Sequence, residues 1–117
     1  MTRIALASLL ALMSSNVAAD QNMNIAGTWD STYGEVTLTQ QGNRIKGVYP
    51  CCGGGTLEGR LIENRVVKFH WIEPHGAGEG EGIWRIKGGK LEGSWGRSQS
   101  ETDGGTWNLW RPQQVAN

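Results

Sequence analysis

Apolar and polar residues alternate along most of this chain from residue 25 onward. Val36 and Leu38, Ile45 and Tyr49, Leu57 and Leu61, Val67, Phe69 and Trp71, and Leu91 and Trp95 stand two or four apart, with polar residues or glycine between them except at Val48. Period two marks strands with one buried face, and helix-period runs are missing from this part of the chain. The pattern predicts strands over 25–32, 35–41, 44–49, 56–63, 65–73, 81–87, 90–97 and 105–111. Between them stand "QGN" (41–43), "EN" (63–64) and "GG" (88–89), residues that tolerate the positive φ of tight hairpins. Links this short predict an all-β fold, an eight-stranded up-and-down antiparallel meander, since parallel crossovers need about a dozen residues or more. Closing the meander into a small barrel removes both exposed edges. An open sheet or a two-layer sandwich is the alternative.

One motif recurs within these strands: "IAGTW" (25–29), "IKGVY" (45–49), "LEGRL" (57–61) and "LEGSW" (91–95). Its central glycines, Gly27, Gly47, Gly59 and Gly93, fall on the inward face. A glycine there leaves space for a ring from a neighbouring strand and lets the sheet bend toward closure. The inward face also carries Trp29, Trp71, Trp84, Trp95 and Trp107, so the core depends on indole packing.

The first residues belong to a different pattern. Arg3 precedes an apolar run from Ile4 to Met13, and Val17 and Ala19 are small or apolar residues before Asp20. This is a secretory leader over 1–19, cut after Ala19, which leaves one β-barrel domain over 20–117 that is secreted or periplasmic. The run is too short to span a bilayer, so no membrane span is expected. Charge changes the picture by exclusion: 11 Lys and Arg balance 11 Asp and Glu. A near-neutral chain gives no electrostatic case for nucleic acid or an anionic membrane. Cys51 and Cys52 are adjacent, so they form a disulfide between neighbours, bridges between chains, or two free thiols. An oxidising compartment argues against free thiols unless they are buried.

Six tryptophans in 117 residues serve either as core or as the flat walls of a ligand pocket. A buried indole N–H needs an acceptor, so the rings near a barrel mouth are the better ligand contacts. Trp29, Tyr49, Trp71 and Trp95 lie toward predicted strand ends, and small eight-stranded barrels can hold one small ligand at an open end.

The stretch "GTWDSTYG" (27–34), then "IKGVY", then tryptophans late in successive strands, resembles the avidin and streptavidin family. The resemblance implies an eight-stranded up-and-down barrel whose mouth, lined by tryptophans, binds biotin. Aligned on "GTW", the family's two polar contacts to the biotin ring, an asparagine and a serine, fall on Ser31 and Glu35, and its ligand-contacting tyrosine on Tyr49. Two of these three positions depart in residue type. A carboxylate at Glu35 would offer biotin's ureido carbonyl an acceptor in place of a donor, so the resemblance carries the architecture further than the ligand.

"HWIEPHGAGEGE" (70–81) gathers His70, Glu73 and His75 as weak metal candidates, with Glu79 and Glu81 nearby, but the spacing matches no established site and a solvated acidic loop is the simpler reading. "CCGGGT" (51–56) lacks the lysine of a phosphate loop and reads as an awkward turn, with a redox role for the thiol pair as a minor alternative. No nucleophile with a partnered base emerges, and no cofactor is implied, so an enzyme is not expected. On the outer face Val48, Ile62, Val66, Ile72 and Ile83 stand among basic residues and leave a homo-oligomer open. Two readings follow: a barrel binding a small-molecule ligand non-covalently at an aromatic mouth, or a module for a protein partner, an inhibitor or an envelope assembly factor, with a filled barrel and working loops at 50–55 and 74–81.

Overall fold

The computed structural model describes residues 22–113, so the leader expected over 1–19 lies outside the described residues. Eight antiparallel strands run in chain order and close: β1 (Gly27–Ser31), β2 (Val36–Gln41), β3 (Arg44–Tyr49), β4 (Gly55–Ile62), β5 (Val66–Glu73), β6 (Gly78–Lys87), β7 (Lys90–Arg97) and β8 (Gly105–Trp110). Each strand pairs with the next, and β8 returns to β1. This is the all-β up-and-down barrel that the alternation predicts, and closure leaves no sheet edge.

The two ends of the barrel differ because the turns differ. Gln41 pairs with Arg44 and Lys87 with Lys90, so two residues suffice for each of those turns. Gly42, Glu63, Asn64, Gly88 and Gly89 supply the positive φ that such reversals need. The segment before β1 covers this end: Ile25 is buried, and its N–H donates to Gln40 Oε1 at 2.8 Å. That bond replaces a ladder bond, which is why β1 starts at Gly27 and not at 25. The opposite end carries the longer links 32–35, 50–54, 74–77 and 98–104.

Strand β6 begins three residues before the alternation predicts, so the loop expected over 74–81 shrinks to 74–77. "GEGEG" shows no apolar period because its inward positions, Gly80 and Gly82, are filled by neighbours. A Cβ at Gly82 would overlap the Phe69 ring, and one at Gly80 would meet Trp71 and the Gly96 carbonyl. The recurring motif glycines act differently from expectation: Gly47 admits the side chains of Leu38 and Leu57, and Gly93 lets the Ile83 carbonyl approach. Room for aromatic rings comes instead from Gly80, Gly82, Gly55 and Gly104, which lie against Trp71, Phe69, Tyr49 and Trp95 respectively.

The core fills the barrel's middle with Val36, Leu38, Ile45, Leu57, Val67, Phe69, Trp84, Leu91 and Leu109, all nearly inaccessible to solvent. On the outer face Val48, Thr56 and Ile72 form one cross-strand row, with Val48 and Ile72 exposed, while exposed Ile62 lies at the tight-turn end.

Candidate functional site

At the end with the longer links a cavity of about 200 Å³ opens between the loops. Its inner side is formed by Trp71 of β5 and Trp107 of β8, both buried. Tyr33 from the β1–β2 link and Trp95 from β7, both half-buried, form one flank. The other flank is Tyr49 at the end of β3 with Glu73 at the end of β5, and Cys52 and Ala77 contribute from the adjoining loops.

The rings stand as perpendicular walls. Trp71 and Trp95 meet at 86° with centroids 5.4 Å apart, Tyr33 and Trp107 at 85° and 5.8 Å, and Tyr49 and Trp107 at 78° and 5.2 Å. Edge-to-face packing of this kind suits the ring quadrupoles and locks each ring's orientation. Trp107 also touches Phe69 and Trp84 edge to face, which anchors the cavity's inner side to the core.

The indole N–H groups around the cavity are all engaged by protein. Trp95 Nε1 donates to Tyr33 Oη at 2.9 Å and Trp107 Nε1 to Ser31 Oγ at 3.2 Å. Trp71 Nε1 is shared between the Gly96 carbonyl at 3.1 Å and the Glu81 carbonyl at 3.2 Å. Tyr49 Oη donates to Glu73 Oε2 at 2.9 Å. Burial first, then that hydrogen bond and the carboxylate's charge, push the Tyr49 phenol far above its ordinary pKa, so it remains a donor at any working pH.

Glu73 is buried although acidic. Its Oε1 also accepts the Ala77 N–H at 3.4 Å, and its carbonyl accepts the Gly76 N–H at 3.0 Å, so this residue shapes the 74–77 turn. Beside the same turn, where Gly76 lies against the Cys52 carbonyl, Cys51 and Cys52 are joined in a disulfide between neighbours, with Cys52 in the left-handed region at φ 67°.

The sequence-derived candidates divide three ways. Tyr49, Trp71 and Trp95 meet at the cavity. Ser31 stands behind it: its Oγ donates to the Gly34 carbonyl at 2.6 Å while accepting from Trp107 and from the Tyr33 N–H. Trp29 and Glu35 lie away from it. Trp29 packs toward the tight-turn end, its Nε1 donating to the Ile25 carbonyl at 3.0 Å and its ring 3.9 Å beneath the Arg111 guanidinium. Strand β1 runs toward the cavity end, so its early residue faces the far end. Glu35 is exposed in the β1–β2 link.

The weak metal candidates diverge as well. His70 points outward on β5, where Nδ1 meets Glu81 Oε2 at 2.7 Å and Nε2 meets Glu79 Oε1 at 2.8 Å. The two carboxylates sit on opposite sides of the ring and so cannot converge on one ion with it. Glu73 faces inward and His75 is in the 74–77 link. Among the described residues no group of three His, Cys, Asp or Glu side chains is arranged to hold a metal.

Tyr33, Ala77 and Trp107 complete the cavity, together with Cys52 and Glu73, which the sequence marks only for a disulfide and as a metal candidate. Tyr33 had a legible signal, an aromatic residue inside a turn between two strands, where solvent exposure would be costly. Ala77 had none.

The barrel is compatible with avidin-like folds in strand number, order and direction. No family model, no curated protein and no solved structure matches this chain.

Proposed function

We propose that this chain is a small exported barrel that binds a small-molecule ligand non-covalently in the aromatic cavity at its loop-bearing end. One observation carries the reading: a cavity of about 200 Å³ bounded by five aromatic side chains and a buried carboxylate, at the end where the links are long. A folding core has no need of a recess walled by apolar rings and open between loops, because apolar surface left facing water forgoes the gain of burial. Its size sets the ligand's scale. An apolar cavity of about 150 Å³ holds benzene, so the occupant is on the order of ten non-hydrogen atoms. The rings present walls already fixed by mutual packing and hydrogen bonds, so little ordering entropy remains to be lost on binding.

A thermal-shift screen of small molecules, run in parallel on the wild type and on Ala77→Trp, tests this reading. A bulky residue at position 77 narrows the entrance. Compounds that raise the wild-type Tm and leave the variant's Tm unmoved support a ligand cavity. Compounds that shift both proteins alike, or no shift with any compound, would overturn it.

A further inference from the structure

We propose that the cavity takes an organic ammonium ion, held by the Glu73 carboxylate and enclosed by the faces of the surrounding rings. This rests on the ligand-cavity reading above and names its substrate class.

The polar inventory of the walls points one way. Trp71, Trp95 and Trp107 have already given their N–H groups to protein acceptors, and Tyr49 has given its O–H to Glu73. Apart from the Tyr33 hydroxyl hydrogen, what these side chains retain is acceptor capacity. An ionised carboxylate offers about four lone-pair sites, and Glu73 meets the Tyr49 hydroxyl at 2.9 Å and the Ala77 N–H at a long 3.4 Å. A ligand that fills the rest must bring donors.

Charge adds to this. The cavity-lining residues include a carboxylate but no lysine or arginine. Aromatic rings present negative π-faces, and a cation over such a face gains more once water is excluded. Arg97 illustrates the attraction at the rim, where its exposed guanidinium sits 5.0 Å from the centre of the Trp95 ring. A neutral ligand rich in carbonyl oxygens would instead face Glu73 acceptor to acceptor, with the hydroxyl hydrogen of Tyr33 as the donor remaining on the wall.

The test is a matched pair of probes titrated against tryptophan fluorescence at neutral pH: benzylamine, protonated there, and benzyl alcohol, nearly the same shape without charge. The wild type is expected to bind benzylammonium at least tenfold tighter. Glu73→Gln keeps an acceptor for Tyr49 but removes the charge, so the ratio of the two affinities should fall to about unity. Should that variant fail to fold, Trp95→Leu, at a half-buried ring, reads the same preference and should reduce it.

Equal binding of both probes, or tighter binding of the alcohol, would overturn the ammonium assignment and leave the ligand cavity standing. Saturation by neither probe at millimolar concentration would also overturn the assignment, and the thermal-shift screen then judges the cavity separately.

Discussion

Tyr49 and Glu73 meet across β4 inside the barrel, the phenol donating to the carboxylate at 2.9 Å. Strand β3 ends at Tyr49 and strand β5 at Glu73, and Gly55 between them has no side chain to obstruct the ring. The pair thus fixes one flank of the cavity and sets a buried carboxylate among its aromatic walls.

Removing the phenol should expose how much the carboxylate depends on it. Tyr49→Phe leaves a buried carboxylate short of a donor, and urea denaturation should show a loss of about 1–3 kcal/mol. Glu73→Gln, which keeps an acceptor opposite Tyr49, should cost less than Tyr49→Phe.

Two tryptophans of similar burial should respond unequally to the same substitution. Trp71 Nε1 bonds to carbonyls of β6 and β7, whereas Trp84 Nε1 is buried with no acceptor among the described residues. Trp71→Phe and Trp84→Phe both lose ring volume, so their difference isolates the hydrogen bond. Trp71→Phe should be more destabilising by about 1 kcal/mol in equilibrium unfolding.

His70 makes stability depend on pH in a defined direction. The hydrogen bond to Glu81 leads the effects that raise its pKa, with Glu79 adding to them against a partial opposing cost of burial. A histidine whose folded pKa exceeds its unfolded value, about 6.5, contributes fully below that value and loses its contribution as pH rises through the folded pKa. His70→Gln should therefore lower stability more at about pH 5.5 than at about pH 9. The ring is 39% exposed, so the difference should stay within about 0.2–1 kcal/mol.

The closing seam should open first. Strand β1 meets β8 through two residue pairs, Asp30 with Trp110 and Ser31 with Leu109, extended by Thr32 and Asn108. Strands β5 and β6 share eight pairs. Amide hydrogen exchange should be fastest among strand residues at the β1–β8 seam and slowest in β5 and β6, because local opening follows the least-supported pairing.

The architecture was legible because period-two alternation and turn residues are local properties of the chain. The start of β6 was not, since Gly80 and Gly82 take their apolar filling from Trp71 and Phe69, residues that sequence spacing does not connect to them. The cavity was legible through Tyr49, Trp71 and Trp95, which sit at inward positions near strand ends. Trp29 shares their pattern yet lies at the other end, because alternation reveals the face of a strand and not which end of the barrel a residue approaches. Glu73 drew notice for the wrong partners: its neighbours in sequence, His70 and His75, do not join it, and Tyr49, its actual partner, is 24 residues away.

Native mass spectrometry of the protein purified unreduced from the cells that make it tests the central claim most directly. The account predicts a small adduct of basic character on the folded protein, lost on denaturation and absent from Ala77→Trp. A bare wild-type mass that persists after incubation with a small-molecule extract of those cells would contradict it.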